Sequence, residues 1–356
     1  MACLSGQRGM SDVLDIAVIG SGPAGLSAAA RAAARGLSYL LIEKTDHLSD
    51  TIYKYQKGKH VMATPVQLEL RSDVDFEAGK REAILGRWDE QAGPLNVAHD
   101  AEVAGISGAK GDFTITAADG RTWRAAHVIL AIGTQGNPNR MRCPGGDSGH
   151  VQYQLDDPTA YVDEHITVVG SGDAGIENAL GLAADAAQGN IVTILNRGAD
   201  FARAKGPNVA LLMEAADTGR IRIFTETSPA KVEPGWLTLQ TRDGEERIAC
   251  DRIIARLGSV APRAFIEACG IQFSSDDREA FPVLSPTFET SVPGIHVIGA
   301  LAGYPLIKHC MNQGHDVVEF IAGNTDLKPV DEKLLVQRFA DLPGVRSVDA
   351  WLEFIR

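Results

Sequence analysis

One glycine pattern occurs twice in this 356-residue chain. Gly20-Ser21-Gly22-Pro23-Ala24-Gly25 follows the apolar run Ile16-Ala17-Val18-Ile19, and Gly170-Ser171-Gly172-Asp173-Ala174-Gly175 follows Ile166-Thr167-Val168-Val169. Each copy comes after a short β-branched run and opens an alanine-rich helical stretch, the setting in which G-x-G-x-x-G binds a dinucleotide. The first glycine permits a tight turn, the second lets a pyrophosphate approach the backbone, and the third lets helix and strand pack closely. The helix N-terminus adds amide donors and the positive end of its dipole. Two such units predict an α/β fold with two Rossmann-like dinucleotide-binding domains, and electrons passing from one cofactor to another.

The first unit reads as a strand over Asp15–Ile19, a helix over Gly25–Arg35 closed by Gly36, and a strand over Ser38–Ile42. Glu43 then stands roughly twenty residues beyond the first glycine, where a carboxylate accepts hydrogen bonds from an adenosine ribose; Lys44 follows it. Short strands are expected over Asp112–Ala117 and Thr122–Arg124. The apolar run His127–Ile132 ends at Gly133-Thr134. The second unit repeats the scheme: strand Ile166–Val169, helix from Gly175 to about Ala187, strand Ile191–Leu195, and the run Arg252–Leu257 stopped by Gly258. Beyond Pro262 the pattern returns to the first unit, with strand Ile295–Ile298, Gly299 and a helix over about Pro305–Ala322. The second domain (150–261) is therefore read as inserted into the first (12–149 and 262–323), with crossings near Gly149–His150 and Ser259–Pro262. Residues 324–356 form a charged, amphipathic tail.

The length suffices for two cores, and a net charge of −12 argues against nucleic-acid partners. No apolar run is long enough to cross a bilayer. Met1–Asp12 lacks the apolar stretch of a secretory signal. Five scattered cysteines without a C-x-x-C pair fit a reducing cytoplasm, and argue against a disulfide framework or structural zinc.

The segments DIAVIGSGPAGLSAAARAAARG, HVILAIGTQGNPN, ITVVGSGDAGIENAL, ILNRGADFARAK and ETSVPGIHVIGA, in this order, resemble the low-molecular-weight thioredoxin-reductase-like flavoproteins over roughly Asp15 to Gly323. The resemblance implies an FAD domain split by an inserted NAD(P)H domain, usually in homodimers. It places FAD on Gly20, Gly22, Pro23, Ala24, Gly25, Glu43, Lys44, Gly133, Thr134, Gly299 and Ala300. It places the nicotinamide dinucleotide on Gly170, Gly172, Asp173, Ala174 and Gly175. Three departures stand out. The redox C-x-x-C is missing, and with it the thiolate pair that passes electrons to a protein disulfide. Ala24 stands where bacillithiol-disulfide-reductase-like proteins carry a cysteine. Ala300 replaces the aspartate that bonds the flavin's ribityl chain. Without the thiolate pair the chain looks closer in pattern to the ferredoxin–NADP reductases of this fold and to the bacillithiol-disulfide-reductase-like proteins.

The strand ending at Leu195 is followed by Asn196-Arg197 where an NAD site shows an acid, so Arg197, with Arg203 and Lys205, is expected to hold the 2′-phosphate of NADPH, with NADH a possible substitute. Lys308, in the first turn of the last helix, is a candidate to neutralise charge on a reduced flavin. Tyr53 is a candidate to stack on the isoalloxazine, with Tyr55 near it. Cys310, directly after His309, is read as inert packing. Lys54, Lys57, Lys59 and His60 form a basic cluster suited to an acidic carrier such as ferredoxin or flavodoxin. The expected function is hydride uptake from NADPH by FAD and electron delivery to such a carrier. The alternatives are reduction of a small disulfide, or a flavin- and nucleotide-binding sensory module with little turnover.

Overall fold

The computed structural model describes residues 13–136, 138–259 and 261–328, which form two units. The first holds the described residues up to Tyr53, then 60–134, then those from Ala261 onward. Its central strand, Val13–Ile19, is parallel to Tyr39–Ile42 on one side and to Thr122–Leu130 on the other. Ile16, Ala17 and Val18 are fully buried, as befits a strand covered on both faces. The long strand Thr122–Leu130 serves two neighbours along its other edge. Its first half pairs antiparallel with Asp112–Ala117, and its last residues pair parallel with Ile295–Val297. The chain's later part is thereby built into the first sheet.

The helix Pro23–Ala34 begins on a proline and buries Ala24, Ala28, Ala29 and Ala32. Small side chains there admit the last helix, Ile307–Ile321, at very short range. A Cβ on Gly314 would lie 2.2 Å from the Ala24 carbonyl oxygen, and Ser27 Oγ donates to the Met311 carbonyl at 2.6 Å. The last helix also buries polar side chains, each matched. Asn312 accepts from the Arg71 N–H and donates to the Glu69 carbonyl, and Glu319 binds Arg31 and Arg35.

The second unit comprises 54–59 and 135–260. Its five parallel strands run, in spatial order, Ile221–Phe224, Ile191–Leu195, His165–Val169, Arg252–Ala255 and Val151–Gln152. The helices Asp173–Leu182 and Gly206–Asp217 contribute Ile176, Leu182 and Leu212 to a core with Ile166 and Val168. A three-stranded antiparallel sheet, Ser228–Glu233, Trp236–Thr241 and Gly244–Ala249, supplies Leu237 and Leu239 to a second core with Val169, Leu195 and Ile253. Residues 135–149, read above as part of the first domain, group with this unit: Met141 joins the second core and the Asn139 N–H donates to the Gly258 carbonyl at 2.9 Å.

The second glycine helix is shorter than expected. It ends at Leu182 rather than near Ala187, and a separate 3₁₀ turn, Ala186–Gln188, follows. Asp185 starts that turn by accepting the Ala187 N–H at 2.9 Å, a local bond that competes with helix continuation. Among the described residues no helix is long and apolar enough to cross a membrane. Most of the 324–356 tail lies outside the described residues.

Candidate functional site

In the first unit the glycine loop joins strand Val13–Ile19 to helix Pro23–Ala34. Gly20 has φ +96°, and a Cβ on it would sit 2.7 Å from the Ala131 carbonyl oxygen. A Cβ on Gly25 would lie 1.8 Å from the Gly20 oxygen, so the helix can press on the loop only without one. Gly22 differs: its missing Cβ faces open space, and it caps a helix whose first amides meet no side chain. Room and unfilled donors coincide, which fits a pyrophosphate. Gly133, at φ +61° and also open in front, and Thr134 follow strand Thr122–Leu130. Gly299 and Ala300 follow strand Ile295–Val297, and a Cβ on Gly299 would meet Ala24 at 3.2 Å. All these loops lie at the carboxyl ends of neighbouring parallel strands, the place where open α/β sheets bind ligands.

Glu43 is buried at 5 % exposure. Its Oε2 accepts the Ser21 N–H at 2.9 Å and the Ser21 hydroxyl at 2.6 Å, and its Oε1 accepts the Thr45 N–H at 3.0 Å. The Thr45 hydroxyl lies within reach of both Oε1 and the His47 carbonyl, with one proton for the two. Oε1 therefore keeps accepting capacity for a ribose hydroxyl. Lys44, beside it, is exposed.

The second glycine loop repeats this construction. Gly170 has φ +113° and would place a Cβ 2.2 Å from the Arg256 oxygen; Gly175 would place one 1.9 Å from the Gly170 oxygen; Gly172 faces open space and caps an otherwise uncapped helix. At the place of Glu43 stands Asn196, again 5 % exposed. Its Oδ1 accepts the Ser171 hydroxyl at 2.8 Å and the Gly198 N–H at 3.0 Å, and its Nδ2 donates to the Asp200 carbonyl. Arg197 and Arg203 are exposed, and their side chains form no hydrogen bond or ion pair with the described residues. Asp173 turns sideways: its Oδ1 accepts the Lys205 N–H at 2.9 Å and the Asn208 amide at 2.8 Å. Ala174 lines a small cavity of about 10 Å³ with Tyr55, Glu177, Asn178 and Arg256, no larger than one water. Burial holds the Arg256 guanidinium below its ordinary value, and Nη1 donates to the Tyr153 carbonyl at 2.8 Å.

Other candidates are differently engaged. The ammonium of Lys308 donates to the carbonyls of Pro65, Val66 and Leu68 at 3.0–3.2 Å. Its three protons are matched, so it pins the 65–68 loop to the last helix and holds its positive charge in place there. The Tyr53 ring stacks on His47 at 3.8 Å between centroids, and the Arg81 guanidinium lies over the ring at 5.4 Å. That ring is thus partly covered by protein groups. Two lysines of the basic cluster form ion pairs, while Lys54, Lys57 and His60 stay exposed. Lys57 pairs with Asp157 at 2.8 Å and Lys59 with Glu177 at 2.6 Å, both inside the second unit. Lys57 in turn pulls the Asp157 carboxyl down to about 2. Cys310 is buried, its thiol donates to the Tyr304 carbonyl at 3.1 Å, and burial pushes it up to about 12. It is packing, as expected.

Sequence reasoning missed Ser21 and Ser171, although each holds the residue just after the second strand of its glycine unit. Their signal was available: the same letter fills the same variable position in both glycine motifs. Gln313, whose Oε1 accepts the Gly299 N–H at 2.7 Å, carried none.

A family model described as pyridine nucleotide-disulphide oxidoreductase matches residues 14–314, and the chain belongs to that family. It is 27% identical over 304 residues to a ferredoxin–NADP reductase of Ralstonia nicotianae, covering 82% of this chain and 81% of the relative. It is 26% identical over 296 residues to the bacilliredoxin reductase Bdr of Bacillus subtilis, covering 80% and 89%. Among solved structures, the bacillithiol disulfide reductase Bdr of Staphylococcus aureus superposes with a TM-score of 0.78 at 22% identity, over 88% of this chain and 99% of that one. The fold is the thioredoxin-reductase-like pair of Rossmann-type domains, and the chain is an NAD(P)H-dependent flavoprotein oxidoreductase using FAD.

Proposed function

We propose that this chain oxidises NADPH and delivers the electrons to an external one-electron carrier of the ferredoxin or flavodoxin class, as a cytoplasmic homodimer. FAD, when bound, would supply the hydride-accepting and single-electron-releasing chemistry. The first glycine loop, with Gly22 and the uncapped helix behind it, holds the FAD pyrophosphate. Glu43 takes its ribose, and the loops of Gly133-Thr134 and Gly299-Ala300 flank it. The second loop holds the nicotinamide dinucleotide by Gly172 and the helix from Asp173, with Arg197 and Arg203 at its 2′-phosphate. The observation that carries the acceptor is the thiol inventory. Among the described residues Cys143, Cys250, Cys269 and Cys310 are free, no C-x-x-C exists, and the buried Cys310 thiol is raised far from thiolate chemistry. Electrons that cannot pass through a protein dithiol leave the flavin directly.

The test is an anaerobic titration of the yellow protein with NADPH and, in parallel, NADH, followed by addition of ferredoxin or a bacillithiol-type disulfide. Bleaching by NADPH and recovery on ferredoxin support the proposal. Recovery on the disulfide alone transfers the function to small-disulfide reduction, the activity named for the Staphylococcus structure. Nucleotide binding without bleaching points to a sensory module.

A further inference from the structure

Between the second strand of the second unit and its next helix runs a stretch, 197–205, that carries three exposed cations: Arg197, Arg203 and Lys205. None of their charged groups pairs with a described residue. An exposed turn keeps one arrangement only if something holds it. The structure shows what holds it, at both ends.

At the start, Asn196 is buried and both its amide oxygen and its nitrogen are engaged. The Gly198 N–H at Oδ1 fixes which way the amide faces, because only the oxygen accepts it. Ser171 then donates to the same oxygen, and the amide nitrogen reaches across to the Asp200 carbonyl. At the far end, Asp173 Oδ1 accepts the Lys205 N–H and the Asn208 side chain. Both anchors, Ser171 and Asp173, come from the glycine motif itself, from the letters between the glycines.

We infer that Ser171, through Asn196, and Asp173 are positioning residues that fix the 197–205 turn, and that they thereby give the second site its selectivity for a nucleotide bearing an extra phosphate. This rests on the proposed reading of that site as the NADPH site. The motif's glycines serve the diphosphate that every dinucleotide carries, whereas its serine and aspartate serve the one group that distinguishes NADPH from NADH. The charge on Asp173 is not what acts; its accepting oxygen is.

Adenosine 2′,5′-bisphosphate and AMP differ only in the 2′-phosphate, and calorimetric titration of each into the full-length flavoprotein reads selectivity without turnover. The wild type is expected to prefer the bisphosphate at least tenfold. Asn196→Ala and Asp173→Ala are each expected to lower that ratio at least fivefold. Asp173→Asn, which keeps an accepting oxygen, is expected to restore the ratio, and flavin content reports that each variant is folded. An unchanged ratio in Asp173→Ala, alongside a collapsed ratio in Arg197→Ala, would overturn the positioning role while leaving the NADPH site intact. Equal weakening of both ligands would also overturn it, by assigning these residues to the shared part of the site. If the wild type binds neither ligand, the reading of the second site falls and this inference falls with it.

Discussion

Glu43 and Asn196 occupy the same place in two units built alike. Each follows the second strand, each is 5 % exposed, and each accepts a hydroxyl proton from the serine of its glycine motif and an N–H from two residues further on. They differ in charge and in what the second polar atom does. The carboxylate accepts with both oxygens, the Ser21 N–H and hydroxyl at Oε2 and the Thr45 N–H at Oε1, so the first unit places a buried anion there. The amide donates instead, and uses that donor to hold the neighbouring turn. Two like charges about 5 Å apart at an effective dielectric near 20 repel by roughly 3 kcal/mol. That is about a hundredfold in affinity, enough for a carboxylate in this place to reject a 2′-phosphate. On the proposed assignment, an amide in place of a carboxylate in one frame would separate a site for a plain adenosine from a site for a phosphorylated one.

The comparison breaks hardest at the third glycines. Gly25→Ala and Gly175→Ala each drive a methyl to within 1.9 Å of a carbonyl oxygen, and the helix must shift by more than a side-chain adjustment. Each is expected to cost about 3 kcal/mol or more, with opposite losses. Gly25→Ala yields colourless protein. Gly175→Ala stays yellow but no longer binds the nicotinamide nucleotide. Flavin absorbance and nucleotide titration read both, and a fully yellow Gly25→Ala would remove the first loop from the FAD site.

The first unit also carries an acid liability. His127 and His296 lie 5.8 Å apart, and burial, reinforced by His127, depresses His296 to about 4. An imidazole that titrates near 6.5 when unfolded and lower when folded contributes its full stability above pH 6.5 and loses it on acidification toward pH 4. The loss is about 2–4 kcal/mol. Urea denaturation at pH 7 and pH 5 is expected to show the first unit weakening, and His296→Phe to flatten the dependence. A wild type equally stable at both values would contradict this.

Glu43→Gln sharpens the contrast at intermediate size. The new amide nitrogen must face either the two Ser21 donors or the Thr45 N–H, at a cost of about 1–3 kcal/mol, visible as faster flavin loss on dilution. Smallest is Lys59→Ala. Its ion pair with Glu177 is part-exposed, so about 0.5–1 kcal/mol is expected, together with an unaltered salt dependence of carrier reduction. A flattened salt dependence would return Lys59 to the docking surface.

Local pattern made much of this legible. The strands Tyr39–Ile42 and Ile191–Leu195 and the last helix fall within two residues of where apolar periodicity and glycine punctuation put them. The three-stranded sheet over Ser228–Ala249 was also readable, since Leu237 and Leu239 alternate with polar residues and glycine turns bound the strands, yet it went unread. What the sequence concealed are polar pairings between distant segments. Lys308 finds carbonyls some 240 residues away, and Lys57 finds Asp157 100 residues on. Such partners leave no period in the chain, because a lysine bound to carbonyls and a lysine in water are the same letter.

The close crossing of Gly314 over Ala24 bears on how the protein is made. The two positions are separated by nearly the whole described chain, and the first glycine helix buries its alanines only once the last helix has arrived. At about 5–20 residues per second, a ribosome needs roughly 15–60 s to travel between them. During that interval the nascent first glycine loop is without its final neighbour. Stable cofactor capture by the first unit is then an event of the released or nearly released polypeptide, and a transcript truncated before residue 314 yields a chain unable to complete it.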